Sequence, residues 1–170
     1  MSKAKKICVL GEFAVGKTSL TRRYVLNSFS PDYQATLGVS LYKAQAELLD
    51  AEKVNLVLWD VEGGKYRADA LGRYIPGASG AFLVGDLTRP QTLEAMSFFA
   101  TCFQDLAPGC PMVFAANKAD LEYPASALDF AKEVADSFDA PLLETSAADG
   151  TAVPDAFNKL AAEMYLRSSQ

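Results

Sequence analysis

Gly11-Glu12-Phe13-Ala14-Val15-Gly16-Lys17-Thr18 fits the pattern G-x-x-x-x-G-K-[ST]. Lys6-Ile7-Cys8-Val9-Leu10, ahead of it, reads as a short buried strand; Ser19 to Leu26, behind it, reads as a helix with one apolar face. Strand, loop and helix in that order give the pattern its chemistry. Backbone N–H groups at a helix N-terminus, with the helix dipole behind them, attract anions. Gly16 lets the backbone come close to phosphates, Lys17 brings a mobile positive charge to the terminal ones, and the Thr18 hydroxyl can ligate Mg²⁺. On this loop alone, ATPases, kinases and GTPases all stay open.

Composition narrows the choice. The 170 residues are half apolar and 22% charged, the balance of a globular chain, and they read as one domain over 1–170. A net charge of −5 leaves no basic surplus for nucleic acid or an anionic membrane, and no nucleic-acid partner is expected. Lys3, Lys5 and Lys6 read as a solubilising start to the first strand. No apolar run approaches the ~20 residues of a spanning helix. Cys8, Cys102 and Cys110 lie in or near apolar segments and are odd in number, so reduced thiols and a cytoplasmic location are expected. There is no histidine, which excludes Ser-His-Asp and Cys-His catalysis and any His-ligated metal. What remains is phosphate, carboxylate and hydroxyl chemistry around a hard cation.

Along the chain, residues 27–38 are polar, with Pro31 and Gly38 breaking periodicity, and read as a loop. Leu41–Leu49 and Val54–Trp59 read as a hairpin around Asp50-Ala51-Glu52-Lys53. The pattern then alternates: an irregular helix over Lys65–Ile75, a strand at Ala81–Val84, a helix over Gln91–Leu106 opened by Pro90, and a strand at Met112–Ala116. A helix within Pro124–Phe138, a strand at Pro141–Leu143 and a helix over Val153–Leu166 complete it. Alternation of this kind predicts an α/β fold with a mostly parallel sheet of six strands, one antiparallel, and helices on both faces.

Three further stretches choose among the nucleotide classes. Asn117-Lys118-Ala119-Asp120 fits N-K-x-D. A carboxylate at Asp120 can accept from both N1–H and the 2-amino group of guanine, a donor pair that adenine lacks. Ser146-Ala147-Ala148 offers backbone N–H groups to the guanine O6. Asp60-Val61-Glu62-Gly63 fits D-x-x-G, with Asp60 reaching Mg²⁺ through water and the Gly63 N–H meeting the γ-phosphate.

With these motifs the chain resembles the Ras superfamily of small GTPases, nearest the Rab branch, over residues ~6–166. Trp59 ahead of D-x-x-G, Tyr74-Ile75-Pro76-Gly77-Ala78-Ser79-Gly80 and Asp86-Leu87-Thr88 add to the likeness. The resemblance implies a P-loop NTPase three-layer sandwich, GTP or GDP with Mg²⁺ as ligands, and a nucleotide site of Ala14, Val15, Gly16, Lys17, Thr18, Ser19, Phe29, Tyr33, Thr36, Gly63, Asn117, Lys118, Asp120, Ser146, Ala147 and Ala148. Thr18, Thr36 and, through water, Asp60 are the implied metal set. Phe29 is expected edge-on to the guanine and Tyr33 over the phosphates. Residues ~29–42 and ~62–75 are the implied switch segments. Through them protein effectors and regulators are expected to bind, with Val39, Leu41, Tyr42, Trp59, Tyr66 and Tyr74 as candidate contacts.

The departures from the family pattern gather around the γ-phosphate. Gly64 stands where a Gln usually orients the attacking water. Phe13 stands where Gly or another small residue is usual, and a ring there would crowd the route of an activator's arginine; Ala14 stands where Gly is usual. Glu62 replaces a small residue and Lys65 an acidic one. Lys17, Thr36 and Glu62 are therefore the expected catalytic group, with Gly64 marking the missing side chain. Glu62 is the nearest candidate for polarising water, with Tyr66 and Arg67 behind it. A carboxylate beside a polyanion is repelled unless Mg²⁺ or Lys17 screens it, so Glu62 either aids hydrolysis, weakens GTP binding or points away. The resulting expectation is a GTP-binding switch with slow hydrolysis. The alternative is a GTP- or GDP-locked binding module with no relevant turnover. The sequence has no cysteine after Cys110 and ends Ser168-Ser169-Gln170, so no direct lipid anchor is expected within it, and any anchor would need a tail beyond it.

Overall fold

Lys5–Gly11 (β1) is the strand on which the sheet is built, and the phosphate loop hangs from its C-terminal end. A computed structural model describes residues 3–31, 36, 38–49, 52–64 and 68–169. After β1 come helix Lys17–Leu26 (α1) and the hairpin strands Val39–Glu47 (β2) and Lys53–Val61 (β3). Helix Ala68–Tyr74 (α2), strand Gly80–Asp86 (β4), helix Pro90–Leu106 (α3) and strand Met112–Asn117 (β5) follow. Helix Ala125–Ser137 (α4), strand Leu142–Glu144 (β6) and helix Val153–Ser168 (α5) complete the order. The sheet runs β2-β3-β1-β4-β5-β6, with β2 antiparallel to β3 and every other pair parallel.

Period-two alternation divides the core between two faces. Cys8 and Leu10, Ala81 and Leu83, and Met112 and Phe114 face the side covered by α2, α3 and α4. Ile7 and Val9, Phe82 and Val84, and Val113 and Ala115 face α1 and α5. Every residue of β4 and β5 is buried, as expected of parallel strands covered on both faces. On the second face Phe157 of α5 stacks on Phe82 at 4.3 Å and on Tyr24 of α1 at 4.4 Å. The Tyr24 hydroxyl donates to Asn158 Oδ1, so α1 is fixed against α5 by both a ring stack and a hydrogen bond.

The expected element types are present, with shifted ends. α1 begins at Lys17, so the loop's lysine and threonine form its first turn. β2 lies two residues earlier than expected at the same length, and β3 extends past the expected strand at both ends; β2 ends at Glu47 because the Leu48 N–H already bonds the Glu52 carbonyl in the turn. β6 runs to Glu144 rather than Leu143. α2 occupies Ala68–Tyr74 of the expected Lys65–Ile75, and residues 65–67 lie outside the described set. Order in the sheet reverses on either side of β1, which opens a crevice at the C-terminal strand ends.

Candidate functional site

That crevice is a cleft of about 680 Å³ lined by Gly16, Lys17, Thr18, Phe29, Thr36 and Lys118 among others. Its floor is the phosphate loop. Lys17 is 6% exposed and its Nζ donates to the Glu12 carbonyl at 2.8 Å, folding the side chain back across the loop. Burial lowers its pKa to about 8, against the opposing pull of Asp60 and Glu12. Gly16 has φ of +104°, and a Cβ there would lie 2.3 Å from Asn117 Nδ2, so only glycine admits the asparagine that braces the loop. Ala14 carries a Cβ yet sits at φ +58°, in the left-handed region.

Three oxygen-bearing side chains meet beside Lys17. Thr18 Oγ1 donates to Asp60 Oδ2 at 2.5 Å and lies 2.6 Å from Thr36 Oγ1, which is 3.4 Å from the same carboxylate oxygen. Asp60 is fully buried, and its Oδ1 has no hydrogen-bond partner among the described residues. Burial raises its pKa, opposed by the hydrogen bond from Thr18 and the charge of Lys17. Two hydroxyls and a buried, half-satisfied carboxylate form a hard oxygen set of the kind Mg²⁺ takes, with phosphate or water oxygens completing the shell. The residues present fit the metal implied by the sequence.

Lys118, just beyond β5, also lines the cleft, and β5 and the loop after β6 stand behind it. Asn117 is 1% exposed; its Nδ2 donates to the Val15 carbonyl at 2.9 Å and its Oδ1 accepts from the Thr145 hydroxyl at 3.1 Å. Lys118 Nζ reaches the Ala14 carbonyl at 3.1 Å and Asp86 Oδ2 at 2.8 Å. Burial works to raise the Asp86 carboxyl, but bonds from Lys118 and Thr88 hold it below its ordinary range. The Ser146 hydroxyl donates to Asp120 Oδ1 at 2.7 Å, joining the two loops that the sequence assigns to guanine. Asp120 is exposed, and Ser146 engages one of its two carboxylate oxygens. Two arginines, absent from every motif, also act here. Arg23 of α1 donates to the carbonyls of Ala147 and Ala148, both at 2.8 Å. Arg89 donates to the Phe13 carbonyl at 2.8 Å. Only their charge and a position near α1 and Asp86-Leu87-Thr88 marked them in the sequence.

At the terminal-phosphate end, Gly63 lies against the loop: a Cβ there would meet Lys17 Nζ at 2.5 Å and the Glu12 carbonyl at 2.8 Å. Gly64 faces open space, with nothing described within 4 Å of an added Cβ. Glu62 is exposed, and its Oε2 accepts the Gly38 N–H at 3.0 Å while its own N–H donates to the Gly38 carbonyl at 2.7 Å. Phe13 is 47% exposed and Phe29 42%, and both line the cleft. Ser19 lines it too, while Val15 is wholly buried behind the loop. Tyr33, Lys65, Tyr66 and Arg67 fall outside the described residues.

Residues 6–166 match the Ras family. The chain is 34% identical to the Ras-related protein RABA5c of Arabidopsis thaliana, covering 97% of this chain and 78% of that protein. It is 33% identical to the Ras-related protein Rab-1C of Dictyostelium discoideum over 97% of this chain and 83% of that one. It is 31% identical to the Ras-related protein Rab-7b of Mus musculus over 95% and 83%. With the phosphate loop, the oxygen set beside it and the asparagine that braces it, these matches show that the chain belongs to the Ras family of small GTP-binding switch proteins and is Rab-like.

Proposed function

We propose that this Rab-like GTPase hydrolyses GTP slowly, and that the terminal-phosphate end of its cleft is the reason. Nucleotide would lie with its phosphates on residues 14–19 and its base between Phe29, Lys118, Asp120 and the 146–148 backbone. The observation that carries the reading is at Gly64. The position that should orient the attacking water has no side chain, and the nearest carboxylate, Glu62, is turned to the Gly38 N–H. General-base or water-orienting groups contribute about 10²–10⁴ in rate, so an unfilled position is costly. Lys17 and Thr36 remain to hold the γ-phosphate, and Mg²⁺, when bound to Thr18 and Thr36 beside Asp60, supplies charge neutralisation there. In this reading Glu62 ties the two switch segments together and does not act on water. The segments would present Val39, Leu41 and Tyr74, with Trp59 of β3 beside them, to effectors and regulators, Leu41 being 58% exposed.

The Glu62–Gly38 pair also favours a second reading, a locked module whose switch segments stay joined with either nucleotide. Single-turnover hydrolysis of bound GTP with Mg²⁺, beside GTP, GDP and ATP affinities, separates these readings. Tight guanine binding with product forming over hours supports the slow switch. No product at all supports the locked module, and Ras-like turnover overturns both.

A further inference from the structure

Three successive carbonyls of the phosphate loop are held by side chains from the ends of β4 and β5. Arg89 Nη2 takes Phe13 O at 2.8 Å, Lys118 Nζ takes Ala14 O at 3.1 Å, and Asn117 Nδ2 takes Val15 O at 2.9 Å. In a planar trans peptide the C=O and the following N–H point in opposite directions, and the described chain has no cis bond. Fixing those carbonyls outward therefore turns the N–H groups of Ala14, Val15 and Gly16 to the other side of the loop. Lys118 and Asn117 do this from within N-K-x-D. Arg89 belongs to no motif.

Arg89 is itself held at several points. Its backbone N–H donates to the Asp86 carbonyl at 2.9 Å, at the residue that opens α3. Its Nε donates to Asp86 Oδ2 at 3.1 Å. Asp86 is 1% exposed, and its other oxygen takes the Thr88 N–H and hydroxyl at 2.9 and 2.7 Å. One buried carboxylate thus aims two cations, Lys118 and Arg89, at adjacent loop carbonyls. The peptide that Arg89 holds is the one between Phe13 and Ala14. It joins a large, half-exposed ring to a residue held at φ +58° with a Cβ, the place in the loop where backbone orientation is least secured by residue type.

We infer that Arg89 is a positioning residue of the phosphate site, which fixes the Phe13–Ala14 peptide so that the Ala14 N–H faces the phosphates of bound nucleotide. The inference rests on the reading of the cleft as a guanine-nucleotide site. It is tested with wild-type protein and the Arg89→Gln and Arg89→Lys variants, each loaded with a fluorescent GDP or GTP analogue and chased with unlabelled nucleotide. Loss of a charge-assisted bond predicts release about ten-fold faster for both nucleotides in Arg89→Gln, with Arg89→Lys in between. In the ¹⁵N-labelled GDP complex the Ala14 amide resonance is expected to move most, with Val15 and Gly16 little changed, because their carbonyl partners are intact. A role confined to opening α3 would spread shifts along that helix and leave release unchanged. Release within two-fold of wild type, or amide changes centred on α3, overturns the inference. A wild-type protein that fails to retain labelled GDP overturns the guanine-nucleotide reading and the Arg89 role with it. Retention by wild type with equal release from both variants overturns the Arg89 role alone.

Discussion

At the base end of the cleft, Asn117 is buried with both halves of its amide bonded, Lys118 spans from Asp86 to the phosphate loop, and Ser146 holds Asp120. At the terminal-phosphate end, Gly64 has no side chain, Glu62 is spent on a backbone N–H, and Ala14 is held in a conformation that glycine would accept more easily. On the proposed reading the first end selects and retains a nucleotide, and the second is where its terminal phosphate would be cleaved. Their difference teaches that, on that reading, binding and turnover are separable in this fold, because the groups assigned to each sit on different strands and loops.

The most severe way to break the comparison is at Asp120. Asp120→Ala should lower GTP and GDP affinity by about 10²–10⁴ while leaving the weak binding of ATP unchanged, since only guanine loses a charged partner. Competition of labelled GDP with each nucleotide reads this directly, and an equal loss for ATP would mean that the base end does not discriminate. Next in size is Gly64→Gln. A Cβ added there meets no described neighbour, so the fold should tolerate a side chain, and single-turnover hydrolysis should rise by about 10²-fold with affinity nearly unchanged. An unchanged rate would move the blame from Gly64 to Phe13. Smallest is Ala14→Gly. Release of the left-handed strain should stabilise the GDP complex by about 1 kcal/mol, seen as a melting temperature about 2–4 °C higher. A fall instead would show that the Cβ of Ala14 contributes packing that outweighs its backbone strain.

The sequence made the fold and the motifs around the cleft legible for one reason: their signals are local. G-x-x-x-x-G-K-T and N-K-x-D are short runs placed between strands and helices whose apolar patterns are strong. β4 and β5, buried over their whole length, read as plain apolar runs. Arg23 and Arg89 were not legible as site residues, because their partners lie 124 and 76 residues away and are backbone carbonyls, which carry no residue-type signal. The role of Glu62 was undecided between three options because the sequence cannot say which way a carboxylate turns. Its partner, the Gly38 N–H, becomes adjacent only once β2 pairs with β3 in the register that sets Val39 against Val61. Strand ends in the hairpin shifted for the same reason: the turn bond from Leu48 to Glu52 is a tertiary detail with no strong residue signature.

α1 has a consequence beyond packing. Its first residue, Lys17, serves the phosphate loop, and Arg23, six positions on, grips the Ala147 and Ala148 carbonyls at the other end of the cleft. At 1.5 Å per residue the two lie about 9 Å apart along one axis. Stacking of Tyr24 on Phe157 keeps that axis from rotating. The helix therefore acts as a gauge block: it sets the spacing between the loop that Lys17 serves and the backbone that Arg23 holds, so one extra residue within it would shift and turn one of these grips relative to the other.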